Sequence, residues 1–211
     1  KRMHQIDLFM KYPHEVQEEL LQKLIAKGKG TEWGKRHSFN RVRNISDFQK
    51  STPTIEYEEL EPYVSRLMEG EQDLLWPGDV KWFAKSSGTT NAKSKFIPVT
   101  REALEDCHYK GGKDLLAIHY HHHPTSKLYM GKSLIIGGSS EVIPSKHDPE
   151  SYSGDLSAII IKNLPLWVQV RRTPHIDIAL MNEWEEKIEN MAEATMNQNV
   201  TTLAGVPSWT L

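Results

Sequence analysis

A chain of 211 residues, 38% hydrophobic and 26% charged, has enough apolar mass for one large domain without disulfides or a structural metal. Its formal net charge of −2 argues against bulk electrostatic binding to nucleic acid. The single cysteine, Cys107, excludes an intrachain disulfide and a multi-cysteine zinc site. No run of 18 apolar residues offers a membrane span, and no apolar stretch follows Lys1-Arg2-Met3-His4 as it would in a secretory signal. The expectation is a cytoplasmic protein with neither nucleic-acid nor membrane partners.

Pro13 sits where a helix would start. Val16, Leu20 and Leu24, flanked by Leu21 and Ile25, make one apolar face, and Gly28 and Gly30 end the helix. The acidic run with Glu56, Glu58, Glu59 and Glu61 reads as a charged helix start with Leu60, Val64 and Leu67 inside, rather than as a divalent metal site. After a turn at Trp76-Pro77-Gly78-Asp79, residues 80–84 read as a strand with Val80, Trp82 and Ala84 on one face. A Ser/Gly/Thr loop follows, and Phe96-Ile97-Pro98-Val99 reads as a second strand.

Thr100 is a good N-cap for the next helix. Leu104, Cys107, Gly111, Leu115 and Ile118 fall on one of its faces. Gly111-Gly112 in mid-helix points to a close-packed neighbour or ligand. Leu134-Ile135-Ile136 reads as a buried strand ending at Gly137-Gly138, residues 139–156 as a long loop, and Ser157–Ile161 as renewed apolar structure. Asn182 with Glu185 resembles a capping box ahead of a helix with Trp184, Ile188, Met191 and Thr195 on one face. Val200–Ala204 reads as a last strand. Strands and helices alternate, so the class is α/β, with mixed sheets and flanking helices. The chain starts without Met and stops at Ser208-Trp209-Thr210-Leu211 as an apolar stretch begins. A fragment of a longer protein is the expectation, with sequence missing mainly after Leu211.

The sharpest chemical feature is the loop from Lys85 to Lys95. Polyphosphate is an anion that needs many donors. Gly88 lets backbone N–H groups approach closely and form an anion-binding nest. Ser86, Ser87, Thr89 and Thr90 add four hydroxyls, and Lys93 and Lys95 add positive charge. The Walker A and G-x-G-x-x-G patterns are both absent. Because this loop joins two strands, its grip would come from backbone donors and hydroxyls rather than from a helix N-terminus. The tract His119, His121, His122, His123 reads as a solvated helix end, since adjacent side chains diverge. Ser139-Ser140-Glu141 fails the G-x-S-x-G hydrolase pattern, and Cys107 reads as core rather than nucleophile.

The stretch Trp82–Pro98 resembles the ATP signature of the auxin-responsive acyl acid–amido synthetases, in particular their bacterial relatives. Gly154-Asp155-Leu156-Ser157-Ala158, Asn163-Leu164-Pro165 and Gly205-Val206-Pro207-Ser208-Trp209 agree in order, so the resemblance covers essentially the whole chain. It implies the first part of the large domain of an acyl-adenylate-forming enzyme, a partial adenylation domain over residues 1–211. The family's later Ala-Ser-Glu and Tyr-Arg-x-Gly-Asp motifs are missing, as is its small mobile C-terminal domain, so the segment alone is expected to be inactive. The implied reaction uses ATP and Mg2+: a carboxylic acid becomes an acyl-adenylate, and an amine, usually of an amino acid, then displaces AMP. By the same resemblance Ser86, Ser87, Gly88, Thr89 and Thr90 form the phosphate loop. Lys95 is the first choice for its terminal lysine and Lys93 the second. Val206, Pro207 and Trp209 match the acyl-pocket segment, with Trp209 as plain core the alternative, and His108 and Tyr109 are further pocket candidates. An acyl-CoA-forming ligase and a non-catalytic ligand-binding module remain the rival readings.

Overall fold

The computed structural model describes residues 1–86, 94–138 and 148–205, together with the backbone of 143–144. Five helices come first: α1 (Arg2–Lys11), α2 (Pro13–Gly28), α3 (Glu32–Arg36), α4 (Ile45–Ser51) and α5 (Tyr57–Met68). Their boundaries follow local chemistry. Pro13 occupies the first turn of α2, where its missing N–H costs nothing. Thr31 caps α3 by accepting from Gly34 N at 3.0 Å, and Asn44 caps α4 by accepting from Asp47 N at 3.0 Å. Of the face expected on α2, Ile25 is buried, but Leu20 and Leu24 are exposed. The apolar stripe is wider than the surface it packs against.

Among the described residues seven strands make two sheets: β1 (Trp82–Lys85), β2 (Phe96–Val99), β3 (Lys132–Ile136), β4 (Ile143–Pro144), β5 (Tyr152–Gly154), β6 (Arg172–Thr173) and β7 (Val200–Gly205). The first sheet runs β2-β1-β5-β4, and the second runs β6-β3-β7 with all strands parallel. In the first, β1 is antiparallel to β2 and parallel to β5. Alternation along β1 splits the core between its two faces. Phe83 joins Tyr63, Val64, Leu67, Leu74 and Val80 on one side, whereas Ala84 joins Val99, Leu104 and Ile159 on the other, with Trp82 packed against them. Val80 thus belongs with Phe83 and not with Trp82 and Ala84. It precedes the strand, where the period of two no longer holds.

The helix after β2 differs from expectation in its middle. Thr100 accepts from Ala103 N at 3.1 Å, as a cap should. The segment Ala103–Tyr109 is then π-helical and runs into α6 (Lys110–His122). A π turn widens the repeat, so Leu104 and Tyr109, five apart, both turn inward. Cys107 is exposed instead of core, Leu115 is 70% exposed, and nothing lies within 4 Å of where a Cβ on Gly111 or Gly112 would be. Of the face predicted at spacings of three and four, only Leu104 is therefore buried.

Four more helices follow among the described residues: α7 (Leu156–Lys162), α8 (Leu166–Gln169), α9 (Ile176–Ala179) and α10 (Trp184–Thr195). The expected loop 139–156 contains β4 and β5, which exist only through pairing with each other and with distant β1. The expected capping box at Asn182 is not formed: Glu183 is the N-cap of α10 and makes no side-chain cap bond. The buried face of α10 is set by Lys187 and Met191, while Trp184 and Ile188 stay partly exposed. No helix among the described residues is long and apolar enough to cross a membrane.

Candidate functional site

The hairpin β1–β2 carries the predicted phosphate loop, and the structure shows how its neck is closed. Ser86 N donates to Lys95 O at 2.9 Å, and Lys95 N donates back to Ser86 Oγ at 3.2 Å. Of the residues assigned to the grip, Ser86 and Lys95 are thereby brought together, whereas Ser87, Gly88, Thr89, Thr90 and Lys93 lie outside the described residues. Tyr57 at the start of α5 braces the neck: its hydroxyl accepts from Phe96 N at 2.8 Å and donates to Phe96 O at 3.0 Å. Lys95 Nζ lies 5.1 Å from the centre of the Tyr57 ring and 4.0 Å from Glu58 Oε1. Both partners of that ion pair are largely exposed, so it holds the ammonium only weakly.

Because β1 and β5 are parallel, with Ala84 opposite Gly154, their carboxyl ends open on one side. Ser86 therefore shares an end of the sheet with Asp155, the N-cap of α7. One turn along, Ser157 Oγ accepts from Gly138 N at 3.2 Å, tying this end to the carboxyl end of β3 in the other sheet. Ile136 of β3 is paired with Gly205 of β7. Ligands of open parallel sheets bind outside strand carboxyl ends, so these ends together outline the candidate site. Val206, Pro207 and Trp209, expected just beyond β7, lie outside the described residues.

Pattern reading missed one member of this end, Lys187. Its side chain is fully buried, and Nζ donates to Gly137 O at 2.7 Å, with Gly138 O at 3.4 Å. Burial pushes the ammonium below the ordinary lysine pKa, and Asp155 partly opposes that shift. The available signal was a lysine four residues before Met191, on the face of α10 that must be core.

His108 and Tyr109 do not join the loop neck. Tyr109 lines a cleft of about 250 Å³ with Trp82, Arg101, Leu104, Glu105 and Asn163. Since Trp82 pairs with Val99, this cleft lies at the opposite end of β1 from Ser86. The Tyr109 hydroxyl donates to Ile160 O at 3.3 Å, and burial, helped by Tyr152 and Glu105, raises its pKa to about 12. His108 is partly buried but does not line the cleft. In the histidine tract, His119 Nε2 and Ser126 Oγ are 2.8 Å apart, and no group of three His, Cys, Asp or Glu among the described residues could hold a metal ion.

This mixed α/β arrangement matches the fold of part of solved acyl acid amido synthetase structures. It superposes on the solved structure of the GH3.15 acyl acid amido synthetase with a TM-score of 0.70 and 21% identity, over 89% of this chain and 32% of that one. On the AtGH3.15 complex with 2,4-DB the TM-score is 0.60 and the identity 24%, over 77% and 28%. The family profile described as GH3 family N-terminal domain matches residues 2–211, and the chain belongs to that family. Among curated relatives, the jasmonoyl–L-amino acid synthetase JAR4 of Nicotiana attenuata is 30% identical over 104 residues, 49% of this chain and 18% of the relative. The indole-3-acetic acid-amido synthetase GH3.2 of Arabidopsis thaliana is 28% identical over 106 residues, 50% and 19%. The aligned regions thus span under a fifth of the length of these relatives.

Proposed function

We propose that the chain is the phosphate-gripping part of an ATP-dependent acyl acid amido synthetase, forming residues 1–211 of a partial adenylation domain in a cytoplasmic enzyme. The observation that carries this reading is the doubly hydrogen-bonded neck between Ser86 and Lys95. It supports a hydroxyl- and glycine-rich loop at the carboxyl end of a strand packed on both faces. ATP, when bound, supplies the α-phosphate to which the substrate carboxylate becomes joined as pyrophosphate leaves; an amine, taken to be that of an amino acid, then displaces AMP. The chain's own part is positioning and charge. Ser86, Ser87, Thr89 and Thr90 offer hydroxyl donors, and Gly88 gives the backbone close approach. Lys95 exchanges its weak contact with Glu58 for phosphate oxygens, and Lys93 adds to the field. Magnesium would be held chiefly through phosphate oxygens and water. Val206, Pro207 and Trp209 remain the proposed acyl-side segment, and Tyr109, with its neighbour His108, is a second, more remote candidate.

The test is carboxylate-dependent exchange of pyrophosphate into ATP by the full-length protein over a panel of acids. Exchange with at least one acid is expected, and Lys95→Ala should raise the KM for ATP by about tenfold, the loss of one charge-assisted contact. No exchange with any acid, together with no binding of ATP or AMP, would overturn the proposal. Products formed with amino acids and coenzyme A both present separate amide from thioester formation.

A further inference from the structure

The parallel sheet β6-β3-β7 contains a charge that no described residue neutralises. Arg172, on edge strand β6, is only 8% exposed, and its Nε and Nη1 have no hydrogen-bond partner among the described residues. Its neighbour Arg171 is handled quite differently: it is exposed, donates to Tyr129 O and lies 5.5 Å from the Tyr129 ring centre. Lys187, the other buried cation of this region, bonds to Gly137 O. Burial lowers the Arg172 pKa, with no carboxylate among the described residues opposing the shift. Unlike a lysine, a guanidinium cannot escape its burial by losing a proton. Such a group is tolerated where a counter-charge comes to it.

The register supplies further donors. Ser133 of β3 is in register with Arg172 on one side and with Thr202 of β7 on the other. Residues in register across parallel strands stand on the same face. One face therefore carries a row of guanidinium, hydroxyl, hydroxyl. The next row, on the opposite face, is Thr173, Leu134 and Leu203.

We propose that Arg172, with Ser133 beside it, is the receptor for a small oxyanion, a carboxylate or a phosphate, at a site separate from the Ser86–Lys95 loop. Nε and Nη1 lie on different edges of the planar guanidinium, so each can give one charge-assisted N–H to an oxyanion oxygen, and the Ser133 hydroxyl can supply a further contact. This site does not depend on the amido synthetase reading, because it belongs to the other sheet.

Thermal unfolding of the purified protein at constant ionic strength, titrated separately with inorganic phosphate and with acetate, tests it. The wild-type melting temperature should rise and saturate with one of the two, and whichever saturates at lower concentration names the oxyanion. Arg172→Met should abolish the response, and Arg172→Lys, which keeps the charge but loses the directed guanidinium N–H donors, should need about ten times more anion. Lys95→Ala should leave the response intact. No saturable effect on the wild type overturns the proposal, as does a response lost with Lys95→Ala but kept with Arg172→Met. Should the Met variant not fold, the 15N signal of Arg172 Nε in the wild type decides the same question: movement on adding the anion supports the site, and a fixed signal overturns it.

Discussion

The two sheets solve the problem of burial in different ways. In β2-β1-β5-β4, both faces of β1 are covered by aliphatic and aromatic side chains, and both of its edges are paired. In β6-β3-β7 the buried set includes Arg172 and Thr173, with Lys187 of α10 bonded to Gly137 just after β3, while Leu203 of edge strand β7 is 59% exposed. Apolar packing is undirected and tolerates no movable charge, which suits a strand that holds the proposed phosphate loop by its neck. Buried cations are tolerated only when specific acceptors meet them. The first sheet thus acts as the scaffold of the candidate site, and the second is where charge and hydroxyls are buried.

If that contrast is right, the largest effects of mutation fall on the first sheet. Phe83 is 1% exposed at the centre of its cluster. Phe83→Ala should cost about 3–5 kcal/mol, read from urea unfolding, whereas Leu203→Ala should stay within about 0.5 kcal/mol. Equal costs for the two would break the contrast. Next in size is a backbone effect in the second sheet. A Cβ on Gly131 would stand 2.1 Å from Asn199 O and 2.7 Å from Thr201 Cγ2. Asn199 O also accepts from Lys132 N at 2.8 Å, the bond that starts the β3–β7 ladder. Gly131→Ala should cost about 1–3 kcal/mol, the usual range for overpacking. It should also raise amide exchange along β7 more than along β1.

The same contrast explains what is legible in the sequence. The hairpin at 82–99 can be read there because turn residues, apolar strands and a Thr cap are local signals. The element β5 cannot, because Tyr152-Ser153-Gly154 has no pattern of its own and becomes a strand only by pairing with β1, some 70 residues earlier. Spacings of three and four misplace the helix face after Thr100, since a π turn shifts every later residue around the axis. Lys187 escapes because hydrophobic patterning skips charged residues, even on a face that must be buried. At the candidate site, composition and family resemblance are enough to single out the neck residues Ser86 and Lys95. Their mutual hydrogen bonds, the Tyr57 brace and the link from Ser157 to Gly138 depend on tertiary placement and have no sequence signature.

Lys187 gives the third prediction, a pH effect. Its pKa is lowered in the folded state, so the unfolded chain binds more protons between the folded and unfolded values. Stability is therefore reduced below the folded pKa and recovered as pH rises toward the ordinary lysine value. The melting temperature should climb as pH rises on the alkaline side of neutrality, read below the range where unfolded tyrosines ionise. In Lys187→Met this slope should vanish, although the variant starts lower because Gly137 O loses its donor. An unchanged slope would assign the effect to another group and remove Lys187 from the contrast between the sheets.

The smallest expected effect concerns how α1 is held. This helix has no buried residue, and its charged link to α6 is Arg2, whose Nη2 donates to Asp114 Oδ2 at 2.6 Å while Nε donates to Oδ1. Hydrogen bonding to Arg2 holds the Asp114 carboxyl below its ordinary pKa. The contribution is thus present above the unfolded aspartate value and lost as pH falls through the folded one. For a partly exposed pair it should be worth about 0.5–1 kcal/mol, even with bidentate geometry. A double-mutant cycle of Arg2→Ala and Asp114→Ala should recover that coupling at pH 7 and show it shrinking as pH falls below the ordinary aspartate value. Arg2→Ala should also speed amide exchange in α1 without touching β1. If exchange in α1 does not change, its partly exposed Leu8 and Phe9 hold it by apolar contact, and the charge pair is incidental to the docking.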